Sequence, residues 1–161
     1  MTLFLGLICL FICCERNSEY QGKGATFLQG SWEQDQVPYQ DSLLQFQLHT
    51  FRFTCDSVYV TVKHHAKVRT IPEDCYNQGT WEEYAKGVYI IRNDSLLIEA
   101  TYTHQDGRQK LSGCYHIGQY LDRFSIQKQT ADSLYLMSRD SHIPVRLKKT
   151  NTTTCTPKKV F

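Results

Sequence analysis

Six histidines are the residues of this chain best suited to metal binding or proton transfer. His64 and His65 are adjacent in an alternating stretch, so they point to opposite faces of a strand. If residues 56–57 form a two-residue hairpin loop, His49 lies opposite His64 on the inner face, with Cβ atoms about 5 Å apart. Such a pair could hold a metal ion, a carboxylate ligand or a shared proton, or it could be a structural hydrogen-bonded pair at an open end.

Signals for other chemistry are sparse. His104 or Glu99 could supply a third ligand to the histidine pair, but nothing in the sequence brings either close. The chain has no Gly-rich phosphate loop, no G-x-S-x-G elbow and no H-E-x-x-H motif. Adjacent carboxylates at 73–74 and 82–83 diverge on a strand and are interpreted as solvent-facing. We therefore assign no catalytic residue, metal or cofactor, and an enzyme remains the less favoured class.

Composition favours one β-rich domain. The 161 residues carry 18 basic and 16 acidic side chains, a net charge of +2 that gives no argument for nucleic-acid binding. Tyrosine (10) and phenylalanine (8) are frequent, whereas proline (4) and methionine (2) are scarce, which is typical of strands.

Turn chemistry organises the chain into hairpins. Asp-Ser precedes an alternating apolar run at 41–42, 56–57, 94–95 and 132–133, and both residue types favour turns. We predict strands near 29–35, 45–54, 57–68, 79–85, 87–92, 95–103, 108–114, 122–129, 133–138 and 143–149. Because no helical pattern separates them, the fold class is all-β: a single up-and-down antiparallel β-barrel of 8–10 strands over residues 27–150.

Alternation also predicts which side chains face the lumen. With a loop at 56–57, Phe51 and Phe53 share the inner face with Val58, Val60 and Val62. The hairpin around 93–94 divides in the same way. The candidate lumen and ligand-binding residues are Trp32, His49, Phe51, Phe53, His64, Tyr89 and Tyr102.

The first 14 residues form a targeting segment. About 12 apolar residues are too few to span a bilayer, which takes about 20. The run ends in Leu-Phe-Ile-Cys-Cys and resembles a bacterial lipobox, so residues 1–14 are predicted to be a lipoprotein signal peptide, with Cys13 or Cys14 as the lipid anchor. Residues 15–26 are then a flexible tether, and the resemblance implies a monomer in the cell envelope, held to a bacterial membrane on its periplasmic or outer-membrane face.

Gly30-Ser31-Trp32 and the final strand at 145–149 complete a second resemblance. Together with the lipobox and the strand count, they resemble small lipocalin-like (calycin-type) lipoproteins of bacteria. The resemblance implies that Gly30 and Trp32 close the barrel base, with Arg146 packed over the tryptophan ring. Similar bacterial chains are sometimes labelled fumarate hydratase, but neither the Gly-Ser-Ser loop of helical fumarases nor cysteines spaced for an iron–sulfur cluster are present.

Strand order predicts one disulfide. In an up-and-down barrel, Cys75 and Cys114 follow odd-numbered strands and lie at the same end, whereas Cys55 lies at the other. We predict a Cys75–Cys114 bond, with Cys55 a buried thiol and Cys155 mobile in a disordered tail at 151–161. Zinc is disfavoured because no C-x-x-C pair is suitably spaced.

Two functions from different classes remain. The first is a membrane-tethered carrier that binds a small apolar or amphipathic ligand in the barrel. The second is a filled, non-enzymatic barrel that docks onto an envelope partner. A hydro-lyase is a remote third. A cavity of several hundred Å³ would favour the carrier, whereas a solid interior would favour docking.

Overall fold

The computed structural model describes residues 21–159, so the predicted signal peptide, Cys13, Cys14 and the first part of the predicted tether lie outside the described residues. Eight antiparallel strands form the barrel. They are β1 (Gly30–Gln34), β2 (Gln45–Thr54), β3 (Ser57–Ala66), β4 (Thr80–Arg92), β5 (Ser95–Thr103), β6 (Gln119–Gln129), β7 (Ser133–Ser138) and β8 (Pro144–Asn151). One short helix, α1 (Glu73–Tyr76), follows β3. Among the described residues, no helix has the length and apolar character needed to cross a bilayer.

Closure confirms the predicted all-β, up-and-down barrel. Each strand pairs with its neighbours in the sequence, and β1 pairs with both β2 and β8, so the sheet has no free edge. Period-two alternation produces this arrangement: Val58, Val60 and Val62 are buried inside, whereas Tyr59 and Thr61 between them are partly exposed.

The described residues form eight strands, whereas ten strand ranges were predicted. The sequence around Gly87 suggested a turn, but β4 runs continuously through it. A Cβ at Gly87 would lie 2.4 Å from the Cα of Ala100, so glycine serves close packing there rather than a turn. The predicted strand at 108–114 is instead part of the β5–β6 connection, which forms an isolated Thr103–Gln109 bridge with β5.

The two ends of the barrel differ. The end that carries the short β2–β3, β4–β5 and β6–β7 turns is called the base, and the opposite end is called the mouth. Trp32, Phe51, Phe53 and Phe124 fill the interior towards the base and are almost completely buried. A 3-10 turn at Thr26–Leu28 closes the base, where the Trp32 indole donates to the Leu28 carbonyl oxygen at 2.7 Å.

The predicted loop of the β2–β3 hairpin was wrong by one residue, at 56–57 instead of 55–56. Thr54 pairs with Ser57, so Cys55 and Asp56 form the loop. Cys55 takes a left-handed conformation (φ 55°), and the Gln29 side chain bonds both its N–H (2.7 Å) and its carbonyl (2.9 Å). The inward face is nevertheless as predicted, because cross-strand partners shift by two residues and two is the period of a strand.

Lys149, not Arg146, packs over Trp32. Its ammonium lies 4.6 Å from the indole centre, whereas the Arg146 guanidinium lies over the outward Tyr135 ring at 6.0 Å. Val145 and Leu147 are buried on β8, so Lys149 shares their face and Arg146 does not.

Two disulfides join distant parts of the chain. The predicted Cys75–Cys114 bond is confirmed. The prediction of a free Cys55 and a mobile Cys155 was wrong, because these residues form a second disulfide. This bond holds the segment that follows β8 against the base.

Candidate functional site

The connections at the mouth are much longer than those at the base. They cover residues 35–44, 67–79, 104–118 and 139–143, whereas the base turns have only two or three residues. Long connections positioned by a rigid scaffold are where binding sites concentrate. We therefore expect a binding site at the mouth.

A cavity of about 500 Å³ lies at this end, and we call it the mouth cavity. This size is in the range of small-molecule sites. Its lining comes from the ends of β1 and β7, the first parts of β2, β6 and β8, and the β1–β2 and β7–β8 connections. The lining residues are Gln34, Val37, Leu43, Gln45, Phe46, Gln47, His49, Leu121, Asp122, Ser138, Ser141, Ile143 and Val145.

His49 supplies a neutral polar group to the mouth cavity. Its Nδ1 lies 3.2 Å from the Gln34 amide oxygen, which also accepts the His49 backbone N–H at 3.2 Å. Burial, with a smaller contribution from the charge of nearby His64, lowers the pKa of His49 to about 4. The imidazole is therefore uncharged at neutral pH and can offer a hydrogen bond without a cation.

Asp122 supplies the carboxylate of the mouth cavity. Burial is the main cause that raises the pKa of Asp122 to about 6, and the charge of Asp140 adds to it. Hydrogen bonds from the Tyr120 hydroxyl (3.0 Å) and from the Arg123 backbone N–H (2.9 Å) oppose that rise. In the part of the chain that the structure describes, neither lysine nor arginine lines this cavity.

Glu83 lies at the centre of a second polar group near the mouth. It is 5% exposed, and its Oε2 lies 2.7 Å from His64 Nε2 and 2.9 Å from His116 Nδ1. The His116 backbone N–H donates to Oε1 at 2.7 Å. Although burial raises the pKa of Glu83, hydrogen bonds from the two histidines outweigh it and hold this pKa at about 2.

Aromatic rings enclose the Glu83 group. Trp81 stacks on His64 at 4.8 Å and on Tyr115 at 5.3 Å, while Tyr102 stacks on His116 at 5.3 Å. A smaller cavity of about 270 Å³ adjoins Tyr102 and Glu83 under the β5–β6 connection. Within residues 21–159, no group of three or more His, Cys, Asp or Glu side chains is placed to hold a metal ion.

The structure separates the predicted lumen residues. Trp32, Phe51 and Phe53 are packed solidly towards the base. Tyr89 also lies there, and its hydroxyl donates to the Cys55 carbonyl oxygen at 2.8 Å.

The remaining candidates lie nearer the mouth. Tyr102 borders the smaller cavity, and His49 lines the mouth cavity. The predicted pairing of His49 with His64 was wrong: Val62 lies opposite His49, and His64 is paired with Glu83 instead.

Sequence reasoning missed three polar residues. Glu83 was assigned to a solvent-facing pair, yet it shares the inward face of Trp81 and Ala85. Asp122 likewise shares a face with the buried Tyr120 and Phe124. Gln34, two residues after Trp32, was not considered. Strand parity could have identified all three.

Comparisons of this chain with protein-family models, curated proteins and solved structures gave no match. The lipocalin-like resemblance therefore remains a prediction from the motifs quoted above.

Proposed function

We propose that this protein is a lipid-anchored, lipocalin-like protein of the bacterial envelope that binds a small apolar or amphipathic molecule in the mouth cavity. The observation that carries the proposal is the cavity of about 500 Å³ at the end with the long connections. Most small-ligand sites are concave, largely apolar and preformed, with a few polar groups that fix orientation.

The lining of the mouth cavity divides into apolar and polar parts. Val37, Leu43 and Ile143 offer aliphatic surface, whereas Asp122 and His49 offer hydrogen-bonding groups. Burial of aliphatic ligand surface contributes about 25 cal/mol per Å². An amphipathic molecule satisfies both parts of the lining.

The solid base limits how deep a ligand can go. Phe51, Phe53 and Phe124 leave no access to water, and Phe51 lies 5.9 Å from Phe124 in an edge-to-face contact. The proposed ligand therefore binds in the mouth half of the barrel, above this aromatic floor.

A matched pair of substitutions tests the site. Leu43 lines the mouth cavity, whereas its neighbour Leu44 is 64% exposed. Native mass spectrometry of protein gently extracted from membranes should find a bound small molecule in the wild type and in Leu44→Trp. Leu43→Trp should lose it, because the indole occupies the cavity. Absence of any bound molecule from the wild type, or equal occupancy in both variants, would count against the proposal.

A docking module is the second candidate function. Tyr39, Leu44 and Leu111 expose large apolar side chains on the mouth connections. Such groups mark a contact surface when they form one contiguous patch. In-cell crosslinking from position 111 that captures one specific envelope protein, lost in Leu111→Ser, would favour docking, provided that no small molecule is found.

A further inference from the structure

We propose that the ligand of the mouth cavity carries a positively charged amine, which Asp122 binds. This inference rests on the proposed function, because it names the chemical class of the molecule that the same cavity would take.

Within residues 21–159, the charge of Asp122 has no counterion. Among the described residues, the six ion pairs do not include Asp122, and the cavity lining contains neither lysine nor arginine. Burial raises the pKa of Asp122, which shows that the site disfavours an isolated negative charge. A bound cation would remove that penalty.

The carboxylate is held in place but not saturated. Tyr120 donates to Oδ2 at 3.0 Å and the Arg123 backbone N–H donates to Oδ1 at 2.9 Å. Each carboxylate oxygen has two acceptor positions, so both can accept a further hydrogen bond. An ammonium group entering the cavity would find a fixed acceptor.

The other polar groups of the lining do not repel a cation. His49 is neutral at physiological pH because its pKa is about 4. Gln34, Gln45 and Gln47 are uncharged amides. An anionic amphiphile would meet Asp122 without any compensating lysine or arginine, so the cavity discriminates against fatty-acid-like ligands.

Three short-chain probes that differ only in the head group test the inference. Hexylamine is cationic at pH 7.5, hexanol is neutral and hexanoate is anionic. We would measure their binding by titration calorimetry to the full-length protein in nanodiscs of zwitterionic lipid, with empty nanodiscs subtracted. We expect hexylamine to bind at least tenfold more tightly than hexanol, and hexanoate to bind most weakly.

Two variants test whether Asp122 causes the preference for hexylamine. Asp122→Asn should reduce hexylamine binding to the level of hexanol and leave hexanol binding unchanged. Asp140→Asn, an exposed nearby carboxylate, should change hexylamine binding less than threefold. The wild-type comparison of probes needs no variant, so it stands even if Asp122→Asn folds poorly.

The outcomes separate the two levels of the proposal. Equal binding of hexylamine and hexanol, or tighter binding of hexanoate, would overturn the amine inference while the cavity remains a ligand site. If no probe binds and no small molecule co-purifies, the proposed function fails as well.

Discussion

Glu83 is the residue on which the mouth half depends most. It is a buried carboxylate that contacts His64 on β3 and His116 on the β5–β6 connection, so it ties a long loop to the wall of the barrel. Removing the buried carboxylate leaves the groups that bond to it without their partner, which typically costs about 1–3 kcal/mol.

Glu83→Gln should therefore lower the free energy of unfolding by about 2 kcal/mol at pH 7, measured by urea denaturation. The control is Glu82→Gln, the neighbouring residue on the exposed face, which should change it by less than about 0.5 kcal/mol. Similar effects of the two substitutions would mean that the histidine contacts do not stabilise the fold.

His49 makes stability depend on pH. Its pKa is about 4 in the folded protein, lowered from 6.5, so the unfolded chain takes up a proton between these values while the folded protein does not. Stability contributed by the neutral ring is complete above pH 6.5 and is lost as the pH falls towards 4. Asp122, whose raised pKa acts in the opposite direction below about 6, is common to all variants and cancels in their differences.

Relative to His49→Gln, the wild type should thus lose up to about 3 kcal/mol of stability between pH 6.5 and pH 4. Chemical denaturation across this range measures the difference. His104→Gln, at an exposed position, should follow the wild-type curve. Parallel curves for wild type and His49→Gln would show that the ring is not protected from protonation.

At the scale of elements, local turn chemistry and alternation predicted most of the barrel. The turn at 93–94 and the inward faces of β2 to β5 agree with the structure, because burial enforces a period of two. The errors arose where tertiary contacts decide. Gly87 makes room for Ala100, and the Gln29 side chain fixes the conformation of Cys55. Neither long-range contact can be read from local sequence.

Gly30 lies where the first strand packs against the last, and no side chain fits at this position. Its φ is 124°, and a Cβ there would lie 2.0 Å from the Asn151 carbonyl oxygen. Gly30→Ala should destabilise the protein by more than about 2 kcal/mol, since strain and a clash add together.

Gly107→Ala is the matched control for Gly30→Ala. Gly107 also has a positive φ, of 83°, but open space surrounds its Cβ position. It should cost only about 1 kcal/mol. Thermal unfolding of the two variants compares them directly, and equal costs would show that the Asn151 contact is not restrictive.

At the scale of the molecule, the barrel combines a filled base with a hollow mouth. The composition of the inner face predicted an aromatic lumen, but it could not show that these rings fill one half completely, because that depends on how all eight strands converge. The mouth cavity was less predictable still, since the connections that supply Val37, Leu43, Ser141 and Ile143 to its lining have no alternating pattern.

The two disulfides should differ in their contribution to the free energy of unfolding. Cys55–Cys155 spans 100 residues and Cys75–Cys114 spans 39. By chain entropy, the first should contribute about 4.7 kcal/mol and the second about 3.9 kcal/mol. Denaturation of the two double Cys→Ser variants tests this order, and non-reducing peptide mapping should recover the same two pairs. A reversed order would indicate that the segment beyond β8 stays close to the base in the unfolded chain as well, so that the Cys55–Cys155 bond restricts it less.

If the proposed lipid anchor is present, the contacts of Gln21 determine which end of the barrel faces the membrane. Its side chain donates to the Thr54 carbonyl oxygen (3.3 Å) and to the Ser57 hydroxyl (2.6 Å), so the incoming chain is fixed to the base. Seven residue steps from Cys14 span at most about 25 Å. With a lipid on Cys14, nitroxide-labelled lipids should broaden the amide NMR signals of residues 93–94 and spare those of residues 105–107. The reverse pattern would place the mouth at the membrane.

With the proposed lipid anchor, a barrel tethered by its base would open towards the aqueous compartment rather than towards the bilayer. Its cargo would then have to be handed over by another molecule, or arrive from the opposite membrane, instead of being drawn from the lipids beneath. The protein would then take up its ligand on the side that faces away from its own membrane.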